Sequence, residues 1–305
     1  MSRVWHLSAS TMNEVRGLNF TARDGDTILI PPGDYTAQVA VWPQSRLTIK
    51  ATGPGVRILA GGAHAQGKAI WVVQGHQVLI EGITFEGAVV PDHNGAGIRH
   101  EGGDLTLRRC GFLHNQMGVL TAATPYHLRV EACEFGFQRS EGAISHGLYV
   151  GAMKILEVLD SYFHNGQRGH LIKSRAGVNH IHHNRLDDGP AGQASYELDL
   201  PNGGVAHVVG NVIRQSAQTQ NRALVAFGME GYKHPRNELH LAHNTMVSDA
   251  PGVTEPVRCR EGADVLTSSY NRWLLDGAGV AGAKGRGLPV LRGAREVWRF
   301  GETNS

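Results

Sequence analysis

Short runs in which apolar and polar residues alternate recur along most of the chain. Alternation with a period of two indicates strands with one buried and one outward face. Forty glycines are spread among these runs and predict many turns joining brief strands. An all-β chain is therefore expected, with inward pairs such as Leu128/Val130, Ala206/Val208 and Leu239/Leu241.

A three-residue pattern recurs seven times: a small or polar residue, any residue, then a large apolar one. It lies at Cys110–Phe112, Cys133–Phe135, Ser161–Phe163, Asn184–Leu186, Asn211–Ile213, Asn244–Met246 and Asn271–Trp273. The repeats are 23 to 33 residues apart, which fits coils of fixed size with loops of variable length. The pattern predicts one right-handed parallel β-helix (solenoid) over 1–305. Its parts are a short N-terminal cap (about 1–22), coils (about 23–275) and a C-terminal cap or tail (about 276–305).

The asparagines of this repeat, Asn184, Asn211, Asn244 and Asn271, share one register. Coils of a solenoid lie about 4.8 Å apart, so each amide can bond to the next coil. We expect them to form a polar ladder at one inward turn.

The opening coils carry a resemblance to a known family. Residues 24–35 read DGDTILIPPGDY and are followed by Arg46–Lys50 and Arg57–Leu59. This resembles the first coils of pectate-lyase-like β-helix proteins, and the resemblance extends over nearly the whole chain. The resemblance predicts the fold but does not identify the substrate, because that superfamily includes polysaccharide lyases, glycoside hydrolases, esterases, uronate epimerases and phage tail depolymerases. The resemblance also implies Lys or Arg as a base, often beside calcium held by carboxylates.

Three consecutive strands carry a dense polar set. If Leu148, Ile172 and Leu198 point inward, then Tyr149, Lys173 and Asp199 point outward and stack one coil apart. Arg175 and Glu197 belong to the same predicted outward set. His146 and His170 enter these strands and border the set, although the period places them inward or at the turn. The equivalent positions in the flanking coils are Leu120 and Val225, so the polar density is confined to three coils.

This set suits chemistry on acidic sugars. Elimination from a 4-linked uronate, or the related C5 epimerisation, needs a cation on the carboxylate, a base for the C5 proton and a proton donor. Arg175 is the candidate cation, Lys173 the candidate base, and Tyr149 or His146 the donor. If the ion pair with Asp199 keeps Lys173 charged, Lys173 is instead an electrophile and His170 or Tyr149 is the base.

Two other classes of function stay open. Glu197 and Asp199 are two apart on one strand and could act as the carboxylate pair of a glycoside hydrolase. A non-catalytic β-helix that binds glycans or serves as a structural module is the other. Asn202, Glu230 and Asn221 are, with Glu197, candidate substrate-binding residues. Glu197, Asp199 and Glu230 could also supply ligands to calcium, although no compact acidic cluster is present, so no cofactor is firmly predicted.

Composition limits the partners. The net charge is +2, from 29 basic and 27 acidic residues, without a basic run, which argues against nucleic acid. No apolar stretch is long enough for a membrane helix. The first residues do not read as a secretory signal, which predicts a cytoplasmic protein, or an extracellular or periplasmic one if a signal was removed. The expected partner is an acidic polysaccharide or oligosaccharide, and the oligomeric state stays open.

The chain has 17 histidines and three cysteines. His180, His207 and His240 fall at equivalent outward positions on successive coils. We expect a ladder of parallel imidazoles without a neighbouring carboxylate, which is a poor geometry for metal. Cys110, Cys133 and Cys259 lack the close spacing of a zinc site or a disulfide framework and are expected as free thiols.

Overall fold

A computed structural model describes residues 2–7, 21–140, 142–252 and 254–275 of the chain. These residues form thirty strands in three sheets, which we call A, B and C. None of the described residues belongs to a helix with the length and apolar character needed to cross a membrane.

Each complete coil contributes one strand to each sheet, and sheets A and B also contain strands from incomplete coils at the ends of the described part. Sheet A contains β1 (Val4–His6), β2 (Thr27–Ile30), β5 (Thr48–Ala51), β8 (Val78–Glu81), β11 (Leu105–Arg108), β14 (His127–Glu131), β17 (Ile155–Leu159), β20 (Val178–His182), β23 (Val205–Val209), β26 (Glu238–Ala242) and β29 (Val265–Ser269). Sheet B contains β3 (Gly33–Thr36), β6 (Val56–Leu59), β9 (Ile83–Glu86), β12 (Gly111–Leu113), β15 (Glu134–Gly136), β18 (Tyr162–Phe163), β21 (Arg185–Asp187), β24 (Val212–Gln215), β27 (Thr245–Ser248) and β30 (Arg272–Leu275). Sheet C contains β4 (Ala40–Trp42), β7 (Ala69–Val73), β10 (Ala96–His100), β13 (Met117–Thr121), β16 (His146–Val150), β19 (Ile172–Ser174), β22 (Leu198–Leu200), β25 (Ala223–Phe227) and β28 (Glu255–Cys259).

Neighbouring strands of a sheet are parallel and come from successive coils, for example β16 and β19. The three sheets therefore enclose a solenoid of about nine turns, which confirms the predicted parallel β-helix. Strand β1 extends sheet A by one strand at the N-terminal end. The predicted C-terminal cap, 276–305, and residues 1 and 8–20 of the predicted N-terminal cap lie outside the described residues.

The large apolar residues of the repeat fill the interior along sheet B. Phe85, Phe112, Phe135 and Phe163 stack ring on ring, with centroids 4.4 to 5.5 Å apart. Leu186, Ile213, Met246 and Trp273 continue the same row by strand register. Because each of these side chains contacts its counterpart one coil away, the core is continuous along the solenoid axis.

The asparagine ladder forms as predicted. The Asn211 Oδ1 atom accepts hydrogen bonds from the backbone N–H of Asn184 at 2.8 Å and from its side-chain amide at 3.1 Å. Asn211 Nδ2 donates to the Ile181 carbonyl at 2.7 Å and to Asn244 Oδ1 at 3.0 Å. The ladder thereby satisfies buried backbone groups at a turn where no strand partner is available.

We expect Asn211→Ala to lower the free energy of unfolding by about 2–4 kcal/mol, because it leaves several buried polar groups without partners. Urea denaturation followed by circular dichroism measures the change. Val212→Ala is the matched control, since Val212 is the next residue and faces solvent. Equal stability losses in the two variants would contradict a structural role for the ladder.

Candidate functional site

One row of outward side chains runs along sheet C. The strand register aligns Tyr149 with Lys173 and Lys173 with Asp199, so the predicted row of these three residues is confirmed. On the N-terminal side the row continues to Leu120, as expected. On the C-terminal side the equivalent position is Ala226, and the expectation of Val225 was wrong, because Val225 pairs with the inward Leu198.

Lys173 contacts two carboxylates. Its Nζ atom lies 2.8 Å from Glu230 Oε1 and 3.3 Å from Asp199 Oδ2. The Lys173 side chain is only 12% exposed, and its ammonium lies 5.8 Å from the centre of the Tyr149 ring. Two carboxylates at these distances pair with the Lys173 ammonium, an arrangement that suits an electrophile better than a base.

Arg175 follows β19 directly and uses three nitrogens. Its Nε donates to Tyr149 Oη at 3.1 Å, and its Nη1 donates to Asn202 Oδ1 at 2.6 Å. Its Nη2 lies 2.7 Å from Glu230 Oε2. The guanidinium is thus held in one orientation beside Lys173, and these bonds raise its pKa further against the effect of burial.

Glu230 belongs to a segment that we call the site loop, residues 228–236. Gly228 and Gly231 adopt positive φ of 73° and 90°, which only glycine tolerates without strain and which turns the chain sharply on both sides of Glu230. The Glu230 backbone N–H donates to the Pro201 carbonyl at 2.9 Å. Asn202, which follows Pro201, donates from Nδ2 to the Gly231 carbonyl at 3.2 Å. The loop therefore lies against the turn that follows β22.

His146 and His170 lie at the border of the row with defined tautomers. The His170 backbone N–H donates to His146 Nδ1 at 2.9 Å, and the Tyr196 backbone N–H donates to His170 Nδ1 at 3.1 Å. In a neutral ring the proton is therefore on Nε2. Burial lowers the pKa of His146 to about 3, with Lys173 and Arg175 acting in the same direction, and burial also holds the pKa of His170 well below its usual range. Both imidazoles are neutral, so each can donate a hydrogen bond through Nε2 and neither is available as a base.

Asp199 is enclosed by these groups. One of its oxygens, Oδ2, lies 3.3 Å from both Lys173 Nζ and His170 Nε2. Burial raises the pKa of the Asp199 carboxyl to about 6, although Lys173 opposes the shift. The cost of removing this carboxylate from water thus exceeds the gain from its ion pair.

Glu197 does not belong to the outward set, and that prediction was wrong. The side chain is fully buried, and both of its carboxylate oxygens lack a hydrogen-bond partner among the described residues. Burial raises its pKa well above the usual range, and the nearby Asp188 adds to this. The reason is local: Glu197 and Leu198 are consecutive buried residues, like Leu224 and Val225 in the next coil, so strict alternation fails at this point of sheet C.

Of the two remaining candidates, Asn202 belongs to the site and Asn221 does not. Asn202 joins the cluster through Arg175. Asn221 lies apart from it: its side chain donates to Ser195 Oγ, and its backbone N–H donates to Thr219. Asn221 therefore stabilises the 214–222 loop, and as a substrate-binding residue it stays an untested prediction.

Two residues near the site were missed from the sequence. The Tyr196 ring stacks on His170 at 5.2 Å, and His170 stacks on His146 at 5.0 Å, so three rings form a second row beside the first. The one-coil spacing of these residues could have revealed it. His234 in the site loop lies with Nε2 3.1 Å from the Arg175 carbonyl oxygen, and no sequence pattern indicates this contact.

In the described part of the chain, no three His, Cys, Asp or Glu side chains are arranged to hold a metal ion. The proposed calcium ligands do not converge, because Glu197 is inside the solenoid. The imidazoles of His180, His207 and His240 stack in parallel as predicted, with centroids 5.3 and 4.8 Å apart. The expectation of no neighbouring carboxylate was wrong: Glu238 lies 3.2 Å from His240, and Glu157 is in register with His180.

The fold defines the class of this protein, a parallel β-solenoid. No protein-family model matches the chain, and no curated protein does. Among solved structures it is similar to ORF18 of Geobacillus virus E2, with 11% identity and a TM-score of 0.50 over 86% of this chain and 54% of that one. It is also similar to the alginate lyase AlyF-OU02 in complex with G6, with 13% identity and a TM-score of 0.39 over 93% of this chain and 61% of that one. The chain thus spans 54% and 61% of these two structures, and the first likeness shows a shared fold.

The Asp199 carboxyl predicts a pH-dependent stability difference. Its pKa in the folded chain, about 6, lies above the ordinary value of 3.8, so the folded state binds this proton more tightly. The resulting stability is fully present below pH 4 and is lost as the pH rises through about 6. We expect the stability advantage of the wild type over Asp199→Asn to shrink by at most about 3 kcal/mol between pH 4 and pH 7.

Urea denaturation at several pH values measures this difference. Asp34→Asn is the control, because Asp34 lies at the surface in an exposed ion pair with Arg57. A difference between wild type and Asp199→Asn that is constant with pH would contradict the raised pKa.

Proposed function

We propose that the outer face of sheet C is the active site of an enzyme that acts on an acidic, uronate-containing polysaccharide. The reaction is β-elimination or the related C5 epimerisation. The observation that carries this proposal is a clamp of two cations, Lys173 and Arg175, which bind the two oxygens of one carboxylate, that of Glu230. A uronate presents the same chemical group.

The clamp supplies the first requirement of the reaction. A uronate carboxylate between Lys173 and Arg175 has its charge neutralised, so negative charge that develops on it when the C5 proton leaves is stabilised. Arg175 is restrained by Tyr149 and Asn202, so its orientation is set before the substrate arrives. Such preorganised charge is the largest contribution in many enzymes.

Tyr149 is the proposed base. Its oxygen accepts a hydrogen bond from Arg175 Nε at 3.1 Å, which holds it beside the clamp. In the deprotonated form that this role requires, the Tyr149 oxygen takes the C5 proton, the electron pair forms the C4–C5 double bond, and the C4–O bond breaks. The leaving oxygen then receives this proton from Tyr149, which returns the tyrosine to its starting form. In epimerisation the C4–O bond stays intact, a proton from solvent adds to the other face of C5, and Tyr149 releases its own proton to solvent.

Asp199 and His170 are proposed to position Lys173. The Lys173 ammonium needs a fixed location, and Asp199 holds it from below while His170 holds the same carboxylate oxygen. Lys173 is then an electrophile, which was the second of the two roles considered for it from the sequence. His170 is not the base, because its Nε2 atom already carries a proton.

Glycoside hydrolysis is the second candidate, now with Asp199 and Glu230, since the Glu197/Asp199 pair is separated by the sheet. The environments of Asp199 and Glu230 shift their pKa values apart. Burial raises the pKa of Asp199 to about 6. For Glu230, burial is the largest single contribution and acts upward, but the hydrogen bonds and charges of Lys173 and Arg175 together lower its pKa. Opposed shifts of this kind are typical of an acid and a nucleophile. Both carboxylates contact Lys173 Nζ, at 3.3 Å and 2.8 Å, so these two oxygens lie no more than about 6 Å apart, closer than an inverting hydrolase requires.

The reaction type can be read from the products. We expect incubation with a panel of polyuronates to give the ultraviolet absorbance of an unsaturated uronate. Lys173→Ala should lower kcat/KM by roughly 10²–10³-fold, because half of the clamp is lost. Glu255→Gln is the control, since it alters an ion pair with Arg258 on the outer face of the same sheet.

New reducing ends without absorbance would favour the hydrolase. An inverted C5 configuration, detected by nuclear magnetic resonance without cleavage, would favour the epimerase. Absence of all three signals on every polyuronate would refute the enzyme and leave a glycan-binding or structural module.

Tyr149→Phe tests the base separately. It removes the hydroxyl and keeps the ring beside Lys173, so we expect kcat to fall by roughly 10²–10⁴-fold while KM changes little. Tyr196→Phe is the control, because the Tyr196 ring also lies in this area, stacked on His170. A Tyr149→Phe enzyme with full kcat would rule out the proposed role.

A further inference from the structure

We propose that Glu230 is a resident carboxylate that occupies the ligand's place in the Lys173–Arg175 clamp, and that an acidic ligand binds by displacing it. The inference rests on the proposed function in one respect: the competing ligand is taken to be a uronate. It assigns Glu230 a role in specificity, different from the substrate-binding role expected from the sequence.

Glu230 contacts the clamp in the way expected of a bound carboxylate. The two oxygens of Glu230 bind two different cations, at 2.8 Å to Lys173 Nζ and 2.7 Å to Arg175 Nη2. Two oxygens shared between two cations is the arrangement that a uronate carboxylate would adopt in the clamp. In contrast, Glu255 on β28 uses one oxygen to contact a single cation, Arg258.

The Glu230 side chain is more exposed to solvent than the two cations it contacts. The Glu230 side chain is 46% exposed, whereas those of Lys173 and Arg175 are 12% and 24% exposed. The carboxylate therefore lies on the solvent side of the cations. When it rotates away, both cations become accessible without any movement of sheet C.

Hydrogen bonds to the rest of the chain fix the site loop around Glu230. Its N–H donates to the Pro201 carbonyl, and the hydroxyl of Tyr232 donates to the Arg260 carbonyl at 2.6 Å. The Asn202 amide holds the Gly231 carbonyl. Displacement thus requires rotation about side-chain bonds only, which is fast and leaves the clamp intact.

This arrangement has a consequence for selectivity. Without a ligand, Glu230 keeps two largely buried cations paired, which avoids the cost of uncompensated charge. A neutral sugar cannot replace the ion pairs that displacement breaks, whereas a uronate replaces both of them. Glu230 therefore prevents neutral glycans from binding, and it lowers the affinity for acidic glycans by the free energy of its own contacts with the clamp.

Binding of hexameric oligouronates, one from each polyuronate of the panel above, to Glu230→Gln tests the inference. All proteins carry Tyr149→Phe so that turnover does not disturb calorimetry. Removing the resident charge should lower Kd by about five- to tenfold, the value expected for a partly exposed ion-pair network. Glu255→Gln should leave Kd unchanged. The fully methyl-esterified hexamer, which carries no carboxylate, should bind to Glu230→Gln no more tightly than the acid hexamer does.

Glu230→Ala provides a second variant with the same expected direction, and thermal unfolding verifies that each variant is folded. Unchanged or weaker binding of the acid hexamer to both Glu230 variants overturns the inference. Tighter binding without turnover of any polyuronate by the Tyr149-containing protein would support the inference and refute the proposed enzyme. Turnover that depends on Lys173, with no gain in affinity in either Glu230 variant, would support the proposed enzyme and refute the inference. Loss of hydrolysis when Glu230→Gln is made in the Tyr149-containing protein would favour Glu230 as the nucleophile and also overturn the inference.

Discussion

The register between coils is the constraint on which the rest of this structure depends. Each strand hydrogen-bonds to strands one coil before and after it, about 4.8 Å away, so a residue's neighbour is the residue one repeat along the chain. The same rule stacks the phenylalanines of sheet B, aligns the asparagine ladder and assembles the polar row on sheet C. Stability and site geometry therefore have a single origin, and a change of register would destroy both.

The cost of the site lies in its buried charge. Lys173 and Asp199 are 12% and 4% exposed in their side chains, and such groups are tolerated only when paired. The imidazoles beside them stay neutral because burial lowers their pKa, so they add hydrogen bonds without adding positive charge. The site loop completes the arrangement by bringing a second carboxylate to the cations. The result is a rigid set in which the most exposed member of the ion-pair network is Glu230.

The sequence allowed prediction of whatever depends on the repeat. Lys173 and Asp199 were placed together because they are one coil apart and follow inward apolar residues. Glu197 was misplaced because two consecutive residues of its strand point inward, and the parallel case of Leu224 and Val225 was read as simple alternation. The contact of Glu230 with Lys173 spans 57 residues and two coils, and depends on a loop whose course follows from glycine conformations that no periodicity encodes.

The choice between elimination and hydrolysis depends on how far the side chains must move. A hydrolytic acid has to reach the glycosidic oxygen, yet Asp199 Oδ2 is held by Lys173 and His170 and the residue is 3% exposed. Hydrolysis would therefore require the break-up of a buried set of ion pairs. Elimination requires only that Glu230, the exposed carboxylate, leave the clamp, after which Tyr149 and the two cations already face the same side of the sheet. Of the two proposed reactions, elimination or epimerisation therefore needs the smaller rearrangement of this surface.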